Sequence, residues 1–243
     1  MNEPIIRAQA LVKTFPHRAA PLTLFRQIEH FARRHPEEKL YALCDLNFEI
    51  ARGEWVGIVG NNGSGKTTLL KLVAGLYPPT RGALRVNGSV TLLSGLGIGM
   101  IGELSVRENI FLYGALQGIA RARLEQQFQE IIAWAELQEF VYAKFQTLSS
   151  GMRARLAFAV SRYSESAVQL QDEALTAGDK EFAKKCYAFY ETARASNRTF
   201  LIAAHDLNFV GNFCARTLWL AKGRQMAFGT TAEVLAQYRA SHG

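Results

Sequence analysis

Cysteine is scarce in this 243-residue chain. Cys44, Cys186 and Cys214 are widely spaced, odd in number, and form neither a disulfide framework nor a metal-ligand spacing. No run approaches the ~18 consecutive apolar residues of a membrane span. The nearest stretch, residues 90–102, is short and broken by Gly95, Gly97 and Gly99. The start, Met-Asn-Glu-Pro, lacks the pattern of a signal peptide. Internal repeats and low-complexity linkers are missing as well. These absences argue against a disulfide-stapled secreted domain and against a chain that crosses a membrane unaided. A reducing cytoplasm is the expected setting, and any membrane component must come from another chain.

What is present is ordinary globular material, with 49% apolar and 20% charged residues. That length suits one compact domain with a substantial core. The formal charge of +7 invites an anionic partner such as nucleotide, nucleic acid or an acidic lipid surface. Because the charge is scattered, solubility alone accounts for it equally well.

Residues 4–15 and 41–50 read as strands. Between them, residues 16–40 contain Pro16, Pro21 and Pro36, and place Leu24, Phe25, Ile28 and Phe31 at helical spacing. This describes a short amphipathic helix, either packed on its own domain or serving as a docking surface. From residue 53 onward, short apolar runs alternate with helical patterns. Trp55-Val56-Gly57-Ile58-Val59 and residues 199–204 read as buried strands, and residues 66–75, 106–118, 121–137, 150–163 and 179–195 as helices. Residues 218–228 suggest a hairpin around Lys222-Gly223. Such alternation implies an α/β fold with a largely parallel sheet covered on both faces.

One motif carries specific chemistry. Gly60-Asn61-Asn62-Gly63-Ser64-Gly65-Lys66-Thr67 follows a strand and opens a helix, as a phosphate loop must. Glycines let backbone N–H groups converge on phosphate oxygens, and the helix N-terminus adds positive potential. Lys66 reaches the outer phosphates, and the Thr67 hydroxyl, with Thr68 beside it, is placed toward magnesium. A chance match in a chain of this length is only about 1% probable.

A phosphate loop alone does not separate a kinase, a helicase and a transporter ATPase. Leu148-Ser149-Ser150-Gly151-Met152, opening a helix, resembles the Leu-Ser-Gly-Gly-Gln signature of ATP-binding cassette (ABC) proteins. Asp172-Glu173 resembles the Walker B pair, Thr176-Ala177-Gly178-Asp179 the D-loop, and His205 the switch histidine. Arg107-Glu108-Asn109-Ile110, Lys184-Lys185-Cys186 and the segment from Arg153 to Phe158 are similar to the branch that exports capsular polysaccharide, O-antigen and teichoic acid. This chain ends at Gly243 and resembles the short type, without a C-terminal carbohydrate-binding domain.

The resemblance implies a phosphate-loop NTPase fold with an N-terminal antiparallel β part and a helical subdomain at about 97–165. Residues 1–243 would form a single ABC ATPase domain with an insertion at 16–40. ATP and magnesium are the implied cofactors. Asp172 would hold the metal with Thr67, Glu173 would polarise the attacking water, and His205 would stabilise the γ-phosphate. Ser149, Ser150 and Gly151 would cap the nucleotide of a second copy, with Asp179 in the same interface, so a homodimer is implied. Phe15 sits where the family stacks an aromatic on adenine, although it could equally be core. The other implied partner is an integral membrane permease at the cytoplasmic face of the inner membrane, with the chain peripheral to the membrane surface. Nucleic acid is not expected as a partner.

Two departures stand out. The run before Asp172 is Val168-Gln169-Leu170-Gln171, where a central parallel strand should be apolar on both faces. Either the amides find partners or one face is wetter than usual. The family's glutamine between the phosphate loop and the signature is also missing, since none occurs between Gly88 and Leu116. Ser94 is the candidate for the vacant metal-facing position, and residues 93–110 for the surface that couples to a membrane subunit. A soluble cassette ATPase acting on nucleic acid or ribosomes is the alternative function, and a small-molecule kinase a weaker third.

Overall fold

The structure is a computed structural model that describes residues 3–16, 39–94, 99–172 and 180–241. The amphipathic segment expected within 16–40 lies almost wholly outside the described residues. Its flanks are strand, because β1 (Ile6–Pro16) and β2 (Lys39–Ile50) pair antiparallel out to Pro16↔Lys39.

The remaining elements alternate along the chain. β3 (Trp55–Val59) leads into α1 (Lys66–Val73), followed by β4 (Arg81–Val86) and β5 (Val90–Ser94). Next come α2 (Val106–Leu116), α3 (Arg121–Ala135) and α4 (Ser150–Ser161). β6 (Val168–Asp172), α5 (Lys180–Ala193), β7 (Thr199–Ala203) and α6 (Leu207–Phe213) complete the central layer. The β8 (Arg216–Ala221) and β9 (Arg224–Thr230) hairpin and α7 (Thr231–Ala240) close it.

Among the described residues the strands form one nine-stranded sheet in the order β4-β1-β2-β9-β8-β3-β7-β6-β5. The strands from β8 to β5 run parallel, with β3 between β8 and β7. The β4-β1-β2 part is antiparallel and joins the rest through one parallel pairing, Cys44↔Arg224. The fold is the expected phosphate-loop NTPase architecture, with antiparallel pairing in the N-terminal strands and in the β8–β9 hairpin.

The central strands are buried on both faces, and their alternation divides the core in two. Val56, Ile58, Leu201 and Ala203 join Val168 and Leu170 in a cluster with α1 and the antiparallel strands. Trp55, Val59, Phe200 and Ile202 face the other way, toward α2–α6. Gln169 and Gln171, alternating with Val168 and Leu170, therefore face the helical layer. Both are buried and both have partners. Gln169 Nε2 donates to Ser164 O at 3.1 Å, and Gln171 Oε1 accepts from Tyr190 Oη. Of the two sequence alternatives, partnered amides is the correct one, and no wet face is needed.

The helices stop short of the sequence expectation where the backbone turns left-handed. α2 gives way before Gly118 (φ 72°), and α3 ends at Glu136 (φ 59°). α1 ends at Val73 with Gly75 at φ 73°, as expected of a glycine stop. α2 begins on a full capping box, Ser105 with Glu108. Asn109, fully buried one residue later, accepts from Ile101 N at 2.7 Å and donates to the carbonyls of Ile101, Leu104 and Ser105. One side chain thus holds the 101–105 loop, inside the segment read as the coupling surface.

Candidate functional site

The phosphate loop leaves β3 at Gly60 and enters α1 at Lys66. Gly60 (φ 150°) is pressed against β8, where an added Cβ would lie 2.2 Å from Leu220 O. Gly65 (φ 107°) is the α1 N-cap, and a Cβ there would meet Leu43 Cδ2 at 2.7 Å and Ala42 O at 2.8 Å. Asn61, Asn62 and Gly63 are exposed, whereas Ser64 and Lys66 are buried. Lys66 Nζ lies inside the loop and donates to Gly60 O at 2.8 Å. A buried ammonium beside the first N–H groups of a helix favours an anion at this loop.

Several later segments shape the loop. Gly223 N, in the β8–β9 turn, donates to Ser64 O at 3.0 Å, and Gly223 O accepts from Cys44 N at 2.7 Å. Tyr238 Oη, on α7, donates to Asn61 Oδ1 at 3.3 Å. Sequence reasoning missed Gly223 and Tyr238 as parts of the site. Lys222-Gly223 was legible as a hairpin turn, but nothing local tells where a turn docks.

Asp172 ends β6 and pairs in register with Ala203 of β7 and Ser94 of β5. Its Oδ1 accepts from Thr67 Oγ1 at 3.2 Å. The structure thus brings together two residues far apart in sequence, both read as metal-facing. Both are hard oxygen donors, the type that would suit a small divalent cation. Ser94 stands beside Asp172 by backbone register. Glu173, Thr176, Ala177, Gly178 and Asp179 lie outside the described residues.

His205 is exposed and follows β7 two residues beyond the partner of Asp172, at the same end of the sheet. Its neighbour Asp206 caps α6, accepting from Asn208 N at 2.9 Å and Phe209 N at 3.2 Å. Tyr187 of α5 donates its phenol to Asp206 Oδ2 at 3.0 Å. Burial pushes the Tyr187 phenol up to about 12, helped by that acceptor carboxylate, so it remains a donor at neutral pH. Asp206 was also missed, although an Asp before an apolar helical run is a readable cap.

Ser149 caps α4, accepting from Met152 N at 3.2 Å, and Ser150 and Gly151 form the first helical turn. Arg153 braces the approach by donating to Leu148 O at 3.0 Å and Gln146 O at 2.7 Å. Ser149 and Ser150 are exposed, so this helix start faces outward. Phe15 is half-buried and packs edge-on against Tyr77 at 5.5 Å, with Lys13 Nζ 5.0 Å over its ring. Lys13 pairs with Leu43, the residue packed beneath Gly65, so Phe15 lies two residues further along β1 at that end of the sheet. Among the described residues no helix is long and apolar enough to cross a membrane.

A buried lysine within a glycine loop, between a parallel strand and a helix and opposite a strand-end aspartate, defines a phosphate-loop nucleotide-binding protein. The family described as ABC transporter matches residues 43–176, just over half of the sequence, and the chain belongs to that family. The O-antigen export system ATP-binding protein RfbB of Myxococcus xanthus is 41% identical over 82% of this chain and 45% of its own length. The teichoic acids export ATP-binding protein TagH of Bacillus cereus is 38% identical over 82% of this chain and 36% of its own length. The chain therefore spans less than half the length of these two relatives. Among solved structures, the ATP-binding cassette MJ0796, in a dimeric post-hydrolysis state bound to ADP and phosphate, superposes with a TM-score of 0.74. It is 22% identical and is matched over 93% of this chain and 98% of its own.

Proposed function

We propose that this chain hydrolyses ATP to power export of a cell-surface polysaccharide through a separate membrane subunit. The observation that carries the reading is the placement of Lys66, Thr67 and Asp172 together at the phosphate loop. The names of the RfbB and TagH relatives support the cargo class. In this reading Gly60–Thr68 cradle the phosphates, with Lys66 on the outer ones. Thr67 and Asp172 would hold magnesium, which when bound screens the phosphate charge. Glu173 polarises the attacking water, His205 stabilises the γ-phosphate, and Phe15 stacks on adenine.

The outward-facing helix start at Ser149–Gly151 supports a homodimer in which each signature, with Asp179, closes over the partner's nucleotide. The chain would act as a single cassette, with residues 97–165 as its helical subdomain. It would sit at the cytoplasmic face of the inner membrane, peripheral to it. Residues 93–110, whose 101–105 loop Asn109 holds, are the proposed contact with the permease, and insertion 16–40 a second docking element. Purification of the tagged protein from its native cells should recover a multi-span membrane protein in stoichiometric amount. Recovery with nucleic acid or ribosomes instead would overturn the transport reading. Lys66→Ala should abolish ATP binding, and Glu173→Gln should bind ATP without turnover. Full hydrolysis by the latter would remove Glu173 from its role.

A further inference from the structure

The glutamine that departs from an apolar central strand leads furthest. Gln171 is 4% exposed and precedes Asp172, whose carboxylate meets Thr67 beside the phosphate loop. Its Oε1 accepts from Tyr190 Oη at 2.5 Å. Tyr190 is fully buried on α5, with its ring between Trp55, Phe200, Phe209 and Phe213 at centroid distances of 6.0, 6.2, 5.1 and 5.8 Å. A ring so enclosed cannot swing, and burial pushes its phenol well above the usual range, so it is a permanent donor. The hydrogen bond therefore runs from an immobile point on α5 to the last buried side chain of β6.

The placement along the chain gives this bond a purpose. β6 ends at Asp172 and α5 begins at Lys180, so the bond ties together the two elements that bracket residues 173–179. An apolar side chain at position 171 would fill the space and tolerate sliding. An amide does not, because a shift of α5 along β6 by one residue, about 3.3 Å, breaks a bond that requires less than about 3.2 Å. Two buried polar groups stand where hydrophobic packing would suffice, and what they add is direction.

We propose that Gln171 and Tyr190 are a positioning pair that fixes the β6 end against α5, and so sets where Asp172 stands relative to the phosphate loop and where the chain leaves β6 toward Glu173. The proposal rests on the reading of the chain as an ATPase. It places the pair outside the nucleotide contacts, so the pair governs turnover rather than binding.

The test uses the full chain with Tyr190→Phe, Gln171→Leu and the double variant. ATP affinity is measured by equilibrium binding, turnover per folded molecule by phosphate release, and stability by urea unfolding. Each single change strands one buried polar group, whereas the double change removes both and should regain stability. The expected result is unchanged ATP affinity in all three, with kcat lowered at least about fivefold in Tyr190→Phe and in the double variant. Wild-type kcat in the double variant would overturn the proposal, because the single-variant defect would then be the stranded amide alone. Parallel loss of affinity and kcat would overturn it too, as general distortion. Wild-type protein in the same assay separates the two levels. No hydrolysis there removes the ATPase reading itself, whereas hydrolysis there with an unimpaired double variant removes only the positioning role.

Discussion

Gly223→Ala should damage the nucleotide site although it lies in a surface hairpin late in the chain. Gly223 has φ 76°, which for alanine costs about 1–2 kcal/mol. Its new Cβ would lie 2.7 Å from Ala42 O, 3.0 Å from Ala42 C and 3.4 Å from Leu43 Cα, all of them backbone atoms. The turn must retreat by several tenths of an ångström, yet Gly223 N→Ser64 O and Cys44 N→Gly223 O hold it in place. Weakening those two bonds adds about 1–2 kcal/mol. The total of about 2–4 kcal/mol corresponds to a Tm loss of about 5–15 °C for a chain of this size.

Gly118→Ala supplies the control, because Gly118 has nearly the same φ, 72°, and nothing within 4 Å of its virtual Cβ. It should lose about 2–8 °C, the backbone strain alone and about half the loss of Gly223→Ala. Scanning fluorimetry reads the two shifts, and binding of a fluorescent ATP analogue reads the site. Affinity should fall for Gly223→Ala only, since Ser64 O loses its anchor. Equal Tm losses, or intact affinity in a destabilised Gly223→Ala, would refute the argument that the hairpin shapes the loop.

Asn109→Ala removes the bonds that hold the 101–105 loop and should cost about 2–4 kcal/mol in urea unfolding, with faster amide exchange at Ile101. Burial pushes the Cys186 and Cys214 thiols up to about 12, so iodoacetamide at pH 8 should label half-buried Cys44 first and those two only after unfolding, as read by mass spectrometry. Their raised values also mean that stability is full below about pH 9 and declines as pH rises toward about 12, which alkaline unfolding midpoints would register. The Glu136 carboxylate, ion-paired with Lys185 of α5 and Arg155 of α4, is held below its usual range first by the Lys185 hydrogen bond. That contribution is present above the ordinary carboxylate value near 4.5 and fades as pH falls through the lowered one. Glu136→Gln should therefore flatten the acid side of the stability profile and leave neutral pH nearly unchanged, because an exposed ion pair contributes little.

The phosphate loop, the signature helix and the central strands were legible because each rests on a local pattern. A strand-loop-helix order, a signature-like Leu-Ser-Ser-Gly-Met and a fully apolar run each declare themselves within ten residues or so. β4 was not read, because Arg-Gly-Ala-Leu-Arg-Val at a sheet edge is half exposed and lacks strict alternation. α6 and α7 were missed for a related reason: α6 is seven residues long and α7 shows only a weak apolar stripe. The partners of Gln169 and Gln171 were out of reach, since Tyr190 is on another element and its enclosure is a tertiary fact. Gly223 beside Ser64 and Tyr238 beside Asn61 are long-range dockings of the same kind.

The contact of the β8–β9 turn with the phosphate loop bears on how the protein is made. A ribosome finishes Thr67 some 150 residues before it reaches Gly223, roughly 10–30 s at ordinary elongation rates. During that interval the nascent chain carries every residue of the loop but neither the turn that grips Ser64 nor the tyrosine that meets Asn61. The loop's full set of supporting contacts therefore forms only after residue 238 has been made, long after the loop itself.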